Sequence, residues 1–82
     1  MTLPKVVVYT RQGCHLCAEA ERTVADIARG RAEVQVVDID EDPLLVERYT
    51  VRVPVVEVAG VEVAELVVDR AVVEEALDGV AD

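Results

Sequence analysis

The chain has 82 residues, of which 52% are hydrophobic and only two, Tyr9 and Tyr49, are aromatic, so we expect one domain over residues 1–82 with an aliphatic core. Its formal net charge of −9 argues against nucleic acid or anionic lipid as a partner. No stretch approaches the roughly 20 apolar residues of a membrane span, and the first residues do not resemble a secretory signal peptide. These features predict a soluble, cytoplasmic protein.

The first half of the chain predicts a strand, a helix and a second strand. Lys5–Thr10 is a β-branched run typical of a buried strand. From Cys14 to Arg29 the apolar residues recur at helical spacing. One face of this helix is predicted to carry Leu16, Cys17, Ala20, Val24, Ile27 and Ala28. Gly30 lies where a helix takes a left-handed C-terminal residue. Glu33–Ile39 is the second predicted strand. Its apolar residues are Val34, Val36 and Val37.

The second half of the chain predicts a short helix followed by a β-hairpin. Asp42 supplies an N-cap carboxylate and Pro43 the first helical residue, in a helix that runs to about Tyr49. The strands Val55–Val58 and Val61–Ala64 follow. They are joined by a tight turn in which a glycine, residue 60, supplies a positive φ.

A last helix completes the predicted order β-α-β-α-β-β-α. Asp69 is its predicted N-cap. The apolar positions that can fold back on the sheet are Val72, Val73, Ala76 and Leu77. The first two strands, joined through a helix, should be parallel with a right-handed crossover, and the last two antiparallel. We therefore expect an α/β fold with a four-stranded mixed sheet and helices on both faces.

Two cysteines, Cys14 and Cys17, lie at the junction of the first strand and the first helix. A thiol at a helix N-terminus faces unsatisfied backbone N–H groups and the positive end of the helix dipole, which stabilise a thiolate. Arg11 and His15 add positive charge nearby as modulating residues. Cys17 is one turn into the helix on its inward face, so it should be less exposed and within reach of Cys14. In a reducing compartment such a pair is more often catalytic or metal-binding than structural.

The residues around these cysteines resemble a known family. Val8–Cys17 is similar to the active-site segment of glutaredoxins, which carry a tyrosine-threonine pair, a basic residue and then a CxxC motif. Val53-Pro54 before an apolar strand is similar to their valine-proline segment, in which the proline is cis and packs beside the cysteines. The resemblance covers nearly the whole chain and implies a glutaredoxin-like thioredoxin fold. It also implies a thiol–disulfide oxidoreductase with Cys14 as nucleophile and Cys17 as resolving thiol. We expect no metal at this site.

Substrate contacts and the reductant are expected around the same motif. Val53 and Pro54 would offer backbone to an extended substrate, and Arg52, like Arg11, would offer an ion pair. His15-Leu16 stands where typical glutaredoxins have proline-tyrosine, and Glu62–Leu66 lacks their Gly-Gly pair. The expected substrate is a disulfide in a protein or a small molecule. The expected reductant is glutathione, another low-molecular-weight thiol or a flavoprotein, with no resident cofactor.

Two other functions remain open at the level of sequence. One is an iron–sulfur cluster or zinc module that uses Cys14 in a dimer, since a structural zinc wants four ligands and one chain offers three nearby candidates at most. The other is a redox sensor whose disulfide alters partner binding without turnover. No broad apolar face is obviously unpaired, so we expect a monomer.

Overall fold

The computed structural model describes residues 3–80 and confirms the predicted order of elements. The elements are β1 (Lys5–Thr10), α1 (His15–Ala28), β2 (Glu33–Asp38), a 3₁₀ turn (Ile39–Glu41), α2 (Pro43–Tyr49), β3 (Val55–Val58), β4 (Val61–Glu65) and α3 (Arg70–Val80). The strands form one mixed sheet in the order β2-β1-β3-β4. β1 is parallel to β2 and antiparallel to β3, and β3 is antiparallel to β4.

The sheet register brings the last residues of β1 and the first residues of β3 together at one end of the sheet. Tyr9, the last but one residue of β1, pairs with Val55, the first residue of β3. In the parallel pair, Thr10 lies opposite Asp38 at the end of β2. The loop that follows β1, the 3₁₀ turn and the segment before β3 therefore meet at the same end of the sheet. This is the end at which α1 begins.

One face of the sheet packs against α1 and α3. Period-2 alternation places the valines of β1 and β3 on this face, and the 3.6-residue period of the two helices supplies the opposing side chains. The buried cluster consists of Val6, Val8, Ala20, Val24, Ile27, Val56, Val58, Val73 and Leu77. Full burial of one such aliphatic side chain contributes roughly 1.5–3 kcal/mol. This layer is the main core of the domain.

The opposite face packs against α2. Its buried residues are Ile39, Tyr49 and Val55, with Tyr9 partly buried against them. The rings of Tyr9 and Tyr49 stack with their centroids 4.6 Å apart and their planes 26° apart. Helices therefore cover both faces of the sheet, as predicted. The only two aromatic residues of the chain are used together on the face with the smaller core.

The helix caps and the tight turn follow the sequence prediction. Asp42 Oδ1 accepts a hydrogen bond from the Leu44 N–H at 2.9 Å, and Asp69 Oδ1 accepts one from the Ala71 N–H at 2.9 Å. Gly60 has a φ of +86° in the hairpin turn. Each carboxylate satisfies one of the N–H groups left free at a helix start.

Some predicted boundaries and burials differ from the structure. β2 ends at Asp38, because the Asp38 carboxylate accepts the Asp40 N–H and turns Ile39 into the 3₁₀ segment. Val36 is 49% exposed because β2 is an edge strand with a neighbour on one side only. Two positions assigned to inward helix faces are also exposed, Leu16 at 38% and Val72 at 40%.

Candidate active site

Cys14 caps the N-terminus of α1 with its own sulfur. Its backbone is extended (φ −91°, ψ 108°), and its Sγ accepts a hydrogen bond from the Cys17 N–H at 3.1 Å. The Cys14 carbonyl accepts the first helical bond from the Ala18 N–H at 3.2 Å. An N–H at a helix start that points at sulfur stabilises negative charge there. The Cys14 sulfur therefore occupies the N-cap position of α1, where a negative charge would be stabilised.

The two cysteines form a disulfide, and they differ in exposure. The Cys14 and Cys17 Sγ atoms are 2.31 Å apart and their Cα atoms 5.1 Å apart. Cys17 is 1% exposed, whereas Cys14 is partly exposed. The predictions that Cys17 is the less exposed residue and lies within reach of Cys14 are confirmed. An external molecule therefore meets the sulfur of Cys14 first.

The Val53-Pro54 segment lies at the same end of the sheet as the CxxC motif. Its peptide bond is cis, as the resemblance implied. Pro54 is buried, and its carbonyl accepts the Leu66 N–H at 2.9 Å. Val53 is half-buried, and its N–H donates to the Tyr49 carbonyl at 3.1 Å. The segment is thus fixed on one side by α2 and on the other by the chain after β4.

Arg11 is bound by a carboxylate that the sequence did not suggest as its partner. Its Nε donates to both carboxylate oxygens of Asp40 at 3.1 Å, and its Nη2 donates to Oδ1 at 2.8 Å. These hydrogen bonds and the opposite charge raise the pKa of Arg11 and lower that of Asp40. The partners are 29 residues apart in the chain and meet because β1 and β2 end side by side.

The imidazole of His15 points along α1 toward Glu19. Its side chain is 84% exposed, and Nε2 lies 3.4 Å from the Glu19 carboxylate, one helical turn further on.

Within residues 3–80 the structure shows no group of three or more His, Cys, Asp or Glu side chains placed to hold one metal ion. In the same range no helix has the length and apolar content for a membrane span.

Arg52 is also engaged within the protein. Its guanidinium hydrogen-bonds the carboxylate of Glu62 and donates to Glu65 Oε2 at 3.2 Å. Glu62 in turn accepts the Tyr49 hydroxyl at 3.0 Å, and Arg52 lies 5.3 Å above the Tyr49 ring. The hydrogen bond from Arg52 is the main cause that lowers the pKa of Glu62. The two arginines predicted to orient a substrate are therefore both paired with carboxylates of the chain.

The buried Tyr49 hydroxyl predicts a loss of stability at alkaline pH. Burial, with the hydrogen bond to Glu62, raises the pKa of Tyr49 from 10.0 to about 12. Between these values the unfolded chain releases a proton that the folded chain keeps, so the free energy of unfolding falls as pH rises. The drop for a shift of this size is at most about 3 kcal/mol. Urea unfolding at pH 9 and pH 11.5 measures it, and Tyr49→Phe should reduce it; an equal drop in this variant would contradict the assignment.

A surface groove lies beside the CxxC motif, and its residues were not among the functional residues predicted from the sequence. It has a volume of about 270 Å³. The lining residues are Leu16, Glu19, Ala20, Arg22, Thr23, Leu66, Val67 and Val68. Leu66 has a φ of +65°, which is uncommon for a residue other than glycine. The sequence feature that could have indicated this groove is the apolar run after the end of β4, where a surface turn is ordinarily polar.

Comparison with protein families and solved structures agrees with this fold and motif. The model of the Glutaredoxin-like domain (DUF836) matches residues 5–78. The structural-genomics target protein XcR50 from X. campestris is 35% identical, with a TM-score of 0.72 over 90% of this chain and 96% of that chain. Thioredoxin O2 from Arabidopsis thaliana in the oxidised state is 25% identical, with a TM-score of 0.67 over 99% and 77%.

A third solved structure shows the fold alone. A mutant thioredoxin from Halobacterium salinarum is 24% identical, with a TM-score of 0.73 over 99% of this chain and 77% of that chain. A comparison with curated proteins found no match. The thioredoxin-like fold and the bonded Cys14–Cys17 pair support a thiol–disulfide redox function. The chain belongs to the glutaredoxin-like family of the thioredoxin superfamily.

Proposed function

We propose that the protein is a thiol–disulfide oxidoreductase that reduces disulfides of proteins or small molecules, with Cys14 as nucleophile and Cys17 as resolving thiol. The observation that carries the proposal is the unequal environment of the two sulfurs. Cys14 is partly exposed and its sulfur accepts an N–H at the start of α1, whereas Cys17, bonded to it, is buried. This difference supports Cys14 as the attacking sulfur and Cys17 as the resolving one.

The reaction consists of two thiol–disulfide exchanges. The Cys14 thiolate attacks one sulfur of the substrate disulfide, and the other substrate sulfur leaves as a thiolate that takes up a proton. Cys17 loses its proton and attacks Sγ of Cys14, which releases the second substrate thiol and forms the Cys14–Cys17 disulfide. The substrate gains two electrons from the protein and two protons, one from the Cys17 thiol and one from solvent. Two molecules of a monothiol, one dithiol or a reduced flavoprotein then return the two electrons to the protein.

The N-terminus of α1 assists whenever Cys14 leaves as a thiolate. A lower thiol pKa increases the thiolate fraction but decreases its intrinsic nucleophilicity, so the two effects on attack partly cancel. The effect on the leaving group does not cancel, because the Cys14 sulfur, stabilised by the Cys17 N–H, leaves faster when a thiolate attacks the substrate sulfur of a mixed disulfide with Cys14. The geometry thus favours rapid exchange in both directions.

The surroundings of the motif bear on the choice of reductant. In the Val53-Pro54 segment the Val53 carbonyl is proposed to accept a hydrogen bond from the substrate, since the Val53 N–H and the Pro54 carbonyl are bonded to Tyr49 and Leu66 and hold the segment in place. Arg11 and Arg52 are already paired with Asp40 and with two glutamates of β4. The carboxylates of glutathione would have to displace these partners, so we favour a dithiol or a flavoprotein as the reductant.

Equilibration of the purified protein in graded buffers of reduced and oxidised glutathione tests this function. After acid quenching and alkylation, mass spectrometry counts the free thiols at each ratio. We expect a reversible two-electron transition between about −270 and −120 mV, the range of thioredoxin-fold catalysts. The proposal is overturned if no intramolecular disulfide forms, or if the thiols react only after a metal or cluster has been removed. The latter result would support the metal-binding alternative.

A further inference from the structure

The contact between Arg11 and Asp40 joins the active-site loop to the 3₁₀ turn on the neighbouring strand. All side-chain hydrogen bonds that Arg11 makes within residues 3–80 go to the two oxygens of this one carboxylate. The Asp40 side of the contact is also fixed, because the Asp40 N–H donates to the Asp38 carboxylate at 2.9 Å. The Arg11 guanidinium is therefore held at the 3₁₀ turn by its hydrogen bonds to Asp40, and Asp40 is held by its own bond to Asp38.

The same arginine is a close neighbour of the reactive sulfur along the backbone. The Cys14 N–H donates to the Arg11 carbonyl at 3.3 Å, which closes a four-residue turn. In such a turn the first and last Cα atoms are less than about 7 Å apart. An arginine side chain attached there can extend toward the sulfur or away from it. In this structure it extends to Asp40.

From this geometry we propose that Asp40 is a positioning residue that holds the Arg11 guanidinium away from the Cys14 sulfur and so limits the reactivity of the Cys14 thiolate. The inference rests on the proposed function of Cys14 and adds a determinant of its reactivity. When the carboxylate is present, the arginine charge is largely neutralised. When it is absent, Arg11 loses its hydrogen-bonded partner and keeps only the weaker attraction of the Asp38 carboxylate, so the guanidinium can approach the thiolate and stabilise it.

Other charged groups near Cys14 do not account for this effect. His15 is directed along α1 to Glu19, at 3.4 Å, and both side chains are more than half exposed. The glutamate partners of Arg52 lie on β4, on the far side of β3 from β1. Arg11 is the one basic residue within the four-residue turn that ends at Cys14. Substitution of Asp40, the partner of Arg11, therefore tests the proposal.

The experiment measures the alkylation rate of Cys14 in the fully reduced protein as a function of pH. Iodoacetamide reacts with the thiolate, and mass spectrometry assigns the product to Cys14, so no turnover is needed. For Asp40→Asn we expect the pH midpoint of the reaction to fall. One unit charge roughly 10 Å from the sulfur, at an effective dielectric of about 50, raises the thiolate fraction below the midpoint about threefold. Because the intrinsic nucleophilicity falls at the same time, we expect the alkylation rate there to rise about twofold. Asp40→Glu, which keeps a carboxylate, should restore the wild-type profile.

Asp78→Asn is the matched control. Asp78 also pairs with an arginine, Arg31, and its substitution removes the same single charge. Arg31 precedes β2, whereas Cys14 follows β1, and the two strands are parallel, so the pair lies about 20 Å away at the other end of the sheet. The Cys14 profile of Asp78→Asn should match that of the wild type.

A double variant separates positioning from simple charge. If Asp40 acts through Arg11, then Asp40→Asn should change the profile much less in an Arg11→Gln background. The inference is overturned if Asp40→Asn matches the wild type or Asp78→Asn, or if its effect is the same with and without Arg11. Failure of the proposed function would show differently. Disulfide turnover would then be absent in the wild-type protein, whatever the alkylation profiles of these variants.

Discussion

Replacing Cys14 with serine is expected to reduce disulfide turnover to the uncatalysed background, whereas replacing Cys17 with serine should arrest the reaction midway. A serine hydroxyl does not form the mixed disulfide, so the first exchange cannot occur. With Cys17→Ser the first exchange proceeds, and the substrate stays bonded to Cys14 because no thiol lies behind it. Insulin reduction by dithiothreitol measures the first loss. Intact mass after incubation with hydroxyethyl disulfide measures the trapped adduct.

The pair of variants also tests which sulfur is attacked. Cys17 is 1% exposed, so the Cys14→Ser variant should form almost no adduct with the same disulfide. Circular dichroism of both variants confirms that they are folded. A stable adduct on Cys17 in the Cys14→Ser variant, or full turnover by this variant, would reverse or remove the proposed roles.

The largest expected effect on stability comes from Tyr49→Ala. Tyr49 is 1% exposed, stacks on Tyr9 and anchors the smaller core beneath α2. Truncating a buried aromatic side chain to alanine costs about 3–5 kcal/mol, because apolar contacts are lost and a cavity remains. A domain of this size has a total stability of roughly 4–12 kcal/mol. Urea unfolding should therefore show a midpoint reduced by a large fraction.

Tyr49→Phe is the control for this substitution. It keeps the ring and its stacking but removes the hydroxyl that donates to Glu62. The expected loss is about 1.5–3 kcal/mol, the range for a hydrogen bond to a charged group. If both variants lose the same stability, then the hydroxyl and its carboxylate would be the stabilising element, and the stacked ring would not be.

The order of elements and the cysteine motif were predictable because their signals are local. The valine runs of β1 and β3, the caps at Asp42 and Asp69, and the helical spacing after Cys14 each act within a few residues. The burial of Cys17 follows from the same spacing, since it shares a face with Ala20 and Val24. These features needed no knowledge of the tertiary neighbours.

The partners of the arginines were not predictable, because they depend on which strands become neighbours. Arg11 meets Asp40 across the β1–β2 pair, and Arg52 meets Glu62 from the segment before β3. The exposure of Val36 likewise depends on its place in an edge strand, which an apolar run does not reveal. The sequence indicated that Arg11 and Arg52 could bring positive charge to the site. The order of the strands, which the sequence pattern does not specify, pairs both arginines with carboxylates of the chain.

The hydrogen bond from the Cys17 N–H to the Cys14 sulfur links the exchange rate of a backbone amide to the redox state of the cysteines. Because α1 is capped by the reactive atom itself, any covalent change at that atom also changes the acceptor of the Cys17 amide. A thiolate accepts more strongly than a disulfide sulfur. The exchange of the Cys17 amide hydrogen with solvent should therefore be slower in the reduced protein. The exchange rate of this one amide should therefore distinguish the reduced from the oxidised protein.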